Sequence, residues 1–190
     1  MQKRSLTKAQ IQEEYQLVMA AQKNRRRFGV LYERYYEQIF LFVFKRVSDE
    51  DVCGDVTSQV FLKAMTHLDR YQFKGVPFSA WLYRIAINEV NQYFRDTKNQ
   101  RTISMERSQL MDMVEEVAEE SSEEAVQKML AVLQDLSPAE VQMIELRFFE
   151  KMPFKEIAAL FGITENNAKV KMYRLLGKLK KLMGKRYAKV

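Results

Sequence analysis

Apolar side chains recur every three or four residues along most of this chain, a spacing that predicts amphipathic α-helices rather than strands. In the first half, the pattern predicts four helices: Thr7 to Asn24, Phe28 to Val47, one that begins at Ser48, and Ser79 to Asp96. The second of these is apolar on more than one side, which favours a central position in a helical bundle. Its candidates for burial are Leu31, Tyr35, Ile39, Phe42 and Phe44.

A loop separates the third and fourth predicted helices. It runs from Tyr71 to Phe78 and contains Gly75 and Pro77, which are typical of turns. Aromatic, cationic and amide side chains are concentrated in this loop and along the following helix. Such side chains suit unstacked single-stranded bases, which need stacking surfaces and hydrogen-bond partners for their edges. The alternative is that Phe78 and Trp81 are ordinary core residues, which is the more frequent role of large aromatic side chains.

The helical pattern weakens from Lys98 to Glu124, where the sequence begins basic and becomes acidic. The carboxylates of its acidic part are Asp112, Glu115, Glu116, Glu119, Glu120, Glu123 and Glu124. Few aromatic residues and a run of like charge predict a linker with little fixed structure beyond local helix. The sequence therefore predicts an all-α fold of two helical domains, 1–97 and 122–190, joined by a flexible acidic linker over 98–121.

In the second half, Ser122 and Ser137 are each placed to cap a helix, and the segment that follows has the pattern of a helix-turn-helix. Its first helix begins at Pro153, and Gly162 suits the left-handed conformation that ends a helix. Thr164 is a good N-cap for the second helix. The predicted inner face of that helix consists of Ala168, Met172, Leu175 and Leu179.

The outer face of this second helix carries amide, aromatic and cationic side chains. These are Asn166, Asn167, Lys169, Lys171, Tyr173 and Arg174. Amides can bond to base edges in the major groove of DNA, and cations can neutralise phosphates. The alternative is an ordinary helical hairpin with a solvated basic face.

The charge of the chain favours the nucleic-acid interpretation. The net charge is +6 and the isoelectric point is near 9.3, which favours a polyanionic partner. The single cysteine, Cys53, excludes an internal disulfide and suits a reducing compartment. The sequence has neither a signal-peptide pattern nor an apolar run approaching about 20 residues. We therefore expect a cytoplasmic protein without membrane insertion.

The sequence offers little for catalysis. With one histidine, His67, and one cysteine, there is no zinc-like cluster, and the six glycines are too scattered for a phosphate-binding loop. We therefore expect no enzyme activity, no metal and no cofactor.

Several segments resemble bacterial RNA polymerase sigma factors of the extracytoplasmic-function (ECF) type of the sigma-70 family, over nearly the whole chain. They are 28–36 for the first core segment, 55–64 for region 2.2, 73–88 for regions 2.3 and 2.4, and 136–140 with 154–158 for region 4. The most specific piece is the string from Trp81 to Ala86 followed by Asn88. Its combination with a C-terminal helix-turn-helix across an acidic linker argues against chance.

The resemblance implies that 1–97 is sigma region 2, which binds core RNA polymerase and the −10 element, and that 122–190 is region 4, which binds the −35 element. The linker would pass through a positively lined cleft of the polymerase. Promoter DNA and core polymerase are the implied partners, together with an anti-sigma factor. By residue type alone, the polar face formed by Asp51, Asp55 and Gln59 is either solvated or a docking surface; the resemblance assigns it to the polymerase.

The resemblance also implies two sets of DNA-binding residues. The −35 set is the outer face of the second helix of the helix-turn-helix. The −10 set, for melted single strand with one base flipped out, is Tyr71, Lys74, Ser79, Arg84, Asn88, Asn91, Gln92 and Arg95.

At three places this chain departs from the resemblance. It has Ser58-Gln59 where Gln-Glu is frequent, Gln92 where an acid or Asn is frequent, and Asn166-Asn167 where Gly-Thr is frequent. The promoter sequence therefore does not carry over. The main alternative is a stand-alone helix-turn-helix regulator that binds duplex DNA without polymerase, and an enzyme acting on nucleic acid is a more distant one.

Overall fold

The computed structural model describes residues 6–47, 49–97, 107–117 and 122–187. All regular secondary structure within these ranges is helical, which confirms the predicted all-α fold. The chain divides into two compact units, with described residues 6–97 in the first and 107–187 in the second. Over the same ranges, no helix is both long and apolar enough to cross a lipid bilayer.

The first unit contains the helices α1 (Lys8–Lys23), α2 (Phe28–Val47), α3 (Glu50–Thr66) and α4 (Phe78–Thr97). At the start of α1, the Thr7 hydroxyl accepts a hydrogen bond from the Gln10 amide at 3.2 Å, and the Gln10 side chain accepts one from the Thr7 amide at 2.9 Å. This confirms the predicted capping box. Helix α3 begins later than predicted, because Asp49 is its N-cap and accepts from the Val52 amide at 2.9 Å; Ser48 lies outside the described residues.

Helix α2 is the centre of the first unit, as its apolar pattern predicts, and it packs against α1, α3 and α4. Leu31, Ile39 and Phe42 are at most 1% exposed. The prediction for Phe44 is wrong, since this side chain is 39% exposed. Two residues along a helix correspond to a rotation of roughly 200°, so Phe44 lies on the side opposite to Phe42.

The second unit contains α5 (Arg107–Val117), α6 (Glu123–Leu133), α7 (Pro138–Ile144), α8 (Phe154–Phe161) and α9 (Glu165–Tyr187). A π-helical turn, Glu145–Phe149, continues α7. The predicted caps are confirmed: Ser122 accepts from the Ala125 amide at 3.2 Å, and Ser137 forms a capping box with Glu140.

Helix α5 corrects the predicted flexible linker over 107–117. Leu110, Met113, Val114 and Val117 are at most 5% exposed, and the helix packs against α6, α9 and the π-helical turn. These four residues have the spacing i, i+3, i+4, i+7 of one helical face. The dense carboxylates lie on the other side of that helix and obscured the pattern. This part of the acidic segment therefore belongs to the second compact unit.

Truncating Met113 should test this correction. Met113→Ala should lower the free energy of unfolding of the second unit by about 2–4 kcal/mol, because it removes a fully buried side chain. Urea unfolding followed by circular dichroism would measure the change. The fluorescence of Trp81, the only tryptophan, reports the first unit and should keep its midpoint. A loss no larger than that of Glu116→Ala, at an exposed position of α5, would instead support an unstructured linker.

Candidate nucleic-acid interfaces

The turn between α8 and α9 has the geometry of a helix-turn-helix. Pro153 is the N-cap of α8, so the helix begins one residue later than predicted. Gly162 ends it in the left-handed region with φ +69°, and the Ile163 amide donates to the Ala158 carbonyl at 3.0 Å. The Thr164 hydroxyl accepts from the Asn167 amide at 3.2 Å, as expected of an N-cap.

The inner face of α9 is buried as predicted. Ala168 and Leu179 have no exposed surface, and Met172 and Leu175 are at most 5% exposed. Helix α9 packs on α8, where Ile157 is likewise fully buried. Burial on this side fixes the direction in which the other side of the helix points.

All six residues predicted on the outer face of α9 are exposed, and Tyr173 is 73% exposed. Lys169 forms an ion pair with Glu165 at 2.8 Å, in which both side chains are nearly half exposed. Such a pair contributes little to stability. Lys169 can therefore exchange this partner for a phosphate at small cost.

Sequence reasoning missed Val170, which is 38% exposed on this face. It lies one turn after Asn166 and one turn before Arg174, so the three residues share a line along α9. An exposed branched apolar side chain on such a line suits contact with the methyl group of thymine. The signal in the sequence is an apolar residue at a position where the helical period demands an outward side chain.

Lys178 lies one turn after Arg174 on α9, but its side chain has a structural partner. Its Nζ lies 2.8 and 2.9 Å from the two carboxylate oxygens of Glu140. The hydrogen bond from Lys178, together with the bonds from Ser137, lowers the pKa of the Glu140 carboxyl. The contact joins α9 to the beginning of α7.

In the first unit, the loop before α4 has an aromatic cluster at its base. The Tyr71 ring packs edge-on against Phe78 and Trp81, with ring centroids 5.2 and 5.3 Å apart. Phe78 is 1% exposed and is a core residue, whereas Trp81 is partly exposed. Burial, followed by the nearby charge of Glu14, raises the pKa of the Tyr71 hydroxyl. The hydroxyl therefore stays protonated and can donate a hydrogen bond.

The exposed face of α4 brings together most of the predicted −10 residues. Arg84, Asn88, Gln92 and Arg95 are exposed, and their spacing of three or four residues places them on one stripe. Lys74 is exposed in the loop, and Asn91 is partly exposed. Ser79 differs from the others, because it is only 5% exposed and lies on the buried side of α4.

A groove between α3 and α4 includes part of this stripe. Lys63 and His67 of α3 line it together with Asn88, Gln92 and Arg95 of α4. Lys63 also pairs with Glu89 at 2.7 Å. The sequence did not single out Lys63 and His67 as candidates, because no periodicity shows which faces of two helices meet.

The third predicted set lies on α3. Asp51, Asp55 and Gln59 are exposed one turn apart, on one face of the helix. Leu62 continues this face and is 50% exposed. A single exposed leucine is ordinary on a protein surface, so it is the alignment of the four side chains on one face that makes this face a candidate docking surface.

Glu14 of α1 connects this unit's interior to the loop. It is 1% exposed, and its Oε2 accepts a hydrogen bond from the Phe78 amide at 2.6 Å. Burial raises the pKa of the Glu14 carboxyl, although the Phe78 hydrogen bond and the charge of Arg34 act in the opposite direction.

Glu14→Gln should change the pH dependence of stability of the first unit. The folded state holds the Glu14 proton to higher pH than the unfolded state, so the wild type loses stability as the pH rises from the ordinary glutamate pKa through the raised one. Glutamine does not titrate. The free energy of unfolding of the wild type should therefore rise relative to that of the variant as the pH falls through that window. Urea unfolding with Trp81 fluorescence at about pH 7.5 and about pH 5 would measure the change. A pH-independent difference, or the same variation in Glu13→Gln at the exposed neighbouring position, would contradict this.

A helix-turn-helix in one unit and an amide- and cation-bearing helix in the other are features typical of DNA-binding proteins. Comparison with known families is more specific. A family model for Sigma-70 region 2 matches residues 31–100, and one for Sigma-70, region 4 matches residues 126–179. The chain therefore belongs to the sigma-70 family of RNA polymerase sigma factors, as an ECF-type member.

Individual relatives agree with this assignment. The ECF RNA polymerase sigma factor BldN of Streptomyces coelicolor is 28% identical over 82% of this chain, which spans 60% of the relative's length. The RNA polymerase sigma factor SigZ of Bacillus subtilis is 27% identical over 80% of this chain and 85% of its own length. The ECF RNA polymerase sigma-E factor of Escherichia coli is 27% identical over 83% of this chain and 87% of its own length.

Solved structures show the same fold at lower identity. CnrH, in complex with the cytosolic domain of CnrY, has a TM-score of 0.55 and 22% identity over 90% of this chain and 97% of its own. The sigma factor RpoE of Bartonella quintana, in complex with the anti-sigma factor NepR, has a TM-score of 0.51 and 18% identity over 83% of this chain and 96% of its own.

Proposed function

We propose that this chain binds core RNA polymerase and directs promoter-specific initiation, with residues 1–97 serving the polymerase and the −10 element and residues from α5 onward serving the −35 element. The observation that carries this proposal is the match of sigma regions 2 and 4, in that order, to two separate compact units. A stand-alone helix-turn-helix regulator would leave the first unit without a role. Sigma factors are initiation factors rather than catalysts, and we propose no enzyme activity for this chain.

The −35 interface is proposed on the outer face of α9. Asn166, Val170 and Arg174 form its central line, and Asn167 and Tyr173 lie beside them on the same face. These side chains would meet base edges in the major groove. Helical geometry places Lys169 and Lys171 on opposite flanks of the line, where the phosphates of the two strands would lie.

The −10 interface is proposed on the loop and on the exposed stripe of α4. Tyr71 and Lys74 supply a ring and a cation, and the stripe supplies the amides and guanidinium groups that can bond to base edges: Arg84, Asn88, Asn91, Gln92 and Arg95. Ser79 supports this surface from inside instead of lying on it. Unstacked bases are recognised by this combination of stacking and edge contacts.

Polymerase binding is proposed for the face of α3 formed by Asp51, Asp55, Gln59 and Leu62. We also propose an anti-sigma partner, since one structural neighbour is bound to a protein so named. A chain with these partners would act in the cytoplasm.

Run-off transcription would test the proposed function. Core polymerase freed of its own sigma factors should give discrete transcripts from some members of a panel of genomic fragments only when this chain is added. Binding to the fragments without any transcript would support the stand-alone regulator. Labelled DNA incubated with the chain and a divalent cation should remain intact, and its cleavage would overturn the non-catalytic assignment.

A further inference from the structure

Helix α1 and Arg25, two residues beyond its end, contact the segment 68–78 at four points. The Glu14 carboxylate accepts from the Phe78 amide at 2.6 Å. The Tyr15 ring stacks on Phe73, with centroids 4.3 Å apart and planes 15° apart. Two further contacts lie at the start of the segment: Gln22 Nε2 donates to the Leu68 carbonyl at 2.9 Å and to the Tyr71 carbonyl at 3.4 Å, and Arg25 pairs with Asp69 at 3.0 Å.

The contacts made by α1 itself come from one side of the helix. At roughly 100° of rotation per residue, Glu14, Tyr15 and Gln22 fall within about a quarter to a third of the helix circumference. They meet the loop at its start, middle and end. The loop is thus held along its length by a neighbouring helix.

We infer that α1 is a positioning element for the single-stranded DNA site, in which Glu14, Tyr15 and Gln22 hold the 71–78 loop and the start of α4 in the DNA-binding arrangement before DNA arrives. This inference rests on the −10 function proposed for that surface. None of the three residues needs to touch DNA. They act through Tyr71 and Lys74, because a loop that is already ordered loses less conformational freedom on binding.

The environment of Glu14 indicates that this arrangement lowers the stability of the first unit. Its Oε2 receives a hydrogen bond at the N-terminus of α4, where the helix dipole favours an anion. Its Oε1 is buried without a hydrogen-bond partner within the described residues. A buried, half-satisfied carboxylate disfavours folding. The presence of Glu14 is therefore better explained by its placement of α4 and the loop than by a contribution to the stability of the core.

Two pairs of variants distinguish a positioning role of Gln22 and Tyr15 from a general contribution to stability. Gln22→Ala removes the bonds to the Leu68 and Tyr71 carbonyls, and Gln12→Ala, at an exposed position of α1, is its matched control. Tyr15→Ala removes the stacking on Phe73, whereas Tyr15→Phe keeps the ring and should rescue it. Both Tyr15 and Gln22 are only partly buried, so neither alanine empties the core.

The assay is holoenzyme binding to a single-stranded oligonucleotide that carries the −10 sequence of a mapped transcription start, followed by fluorescence anisotropy. Gln22→Ala and Tyr15→Ala should each weaken this binding about tenfold, by loss of preorganisation. Affinity for core polymerase and for the −35 duplex should stay within about twofold, as should all affinities of Gln12→Ala and Tyr15→Phe. Because Tyr71 packs on Trp81, the alanine variants should also make Trp81 more accessible to acrylamide.

Two results would overturn the inference while leaving the proposed function in place. One is unchanged single-strand affinity in both alanine variants. The other is an equal loss of polymerase and single-strand affinity, which would indicate general destabilisation. A wild-type holoenzyme that fails to bind the oligonucleotide would remove the −10 assignment itself, and the inference with it.

Discussion

Reversing the charge of Lys171 and Arg174 together should weaken binding of the −35 duplex by at least about 100-fold. A base-edge contact contributes about 1–3 kcal/mol and each phosphate contact adds a salt-dependent term, so loss of two contacts plus repulsion exceeds about 2.7 kcal/mol. Both side chains are exposed on α9. Their replacement by glutamate leaves the buried face of the helix untouched. Fluorescence anisotropy would measure the affinity, with a duplex that the full chain selects from a randomised pool.

The control variant carries the same change of net charge in the first unit. Lys23→Glu with Arg26→Glu, at two exposed positions, should change −35 affinity far less.

Arg174→Ala then distinguishes two kinds of contact. If Arg174 reads a base, the loss should be confined to some sequences; if it binds a phosphate, the loss should be uniform and shrink as salt rises. Equal losses in the two double variants would show that only net charge matters.

The sequence predicted most elements because local rules determine them. The capping boxes at Thr7 and Ser137 mark helix starts with backbone and side-chain hydrogen bonds that involve residues only three apart. Gly162 marks a helix end because its positive φ is unfavourable for other residues. Features of this kind need no knowledge of the rest of the fold.

The packing of helix α5 into the second unit was not predicted, although its signal is present in the sequence. The net charge of the acidic segment suggested a linker, but the apolar residues from Leu110 to Val117 repeat with the period of a buried helical face. A helix whose solvent face is strongly acidic is still stable when its opposite face packs against neighbours. Apolar spacing is therefore better evidence of structure than the charge of a segment.

The exposed residues of α4 and α9 followed from periodicity, whereas contacts between helices did not. Nothing local relates Glu14 to Phe78, which are 64 positions apart, or brings Lys63 into the groove with Asn88. Ser79 is a second case in which the local sequence did not show how the helices pack. Its hydroxyl suits a polar surface, but the packing of α4 in the bundle leaves it only 5% exposed.

The second large effect is expected on polymerase binding. Asp51→Lys together with Asp55→Lys should lower the affinity for core RNA polymerase by at least about 30-fold, or about 2 kcal/mol. The two carboxylates are exposed one turn apart, on the same face of α3 as Gln59 and the exposed Leu62. A partner complementary to that face would meet two positive charges in place of two negative ones. Titration of the labelled chain with core polymerase would measure the affinity.

This test needs a control for charge and for folding. Glu13→Lys with Glu33→Lys makes the same change of net charge at exposed positions of α1 and α2, and should bind polymerase nearly as the wild type does. Lysine at position 51 also disfavours the first turn of α3 by about 0.3–1 kcal/mol, so Trp81 unfolding must show that the first unit remains folded. Leu62→Ala tests the same face without changing any charge. Removal of this half-exposed side chain should weaken polymerase binding while the stability of the first unit changes little. Wild-type affinity in both the Asp51/Asp55 and the Leu62 variants would exclude this face of α3 as the polymerase surface.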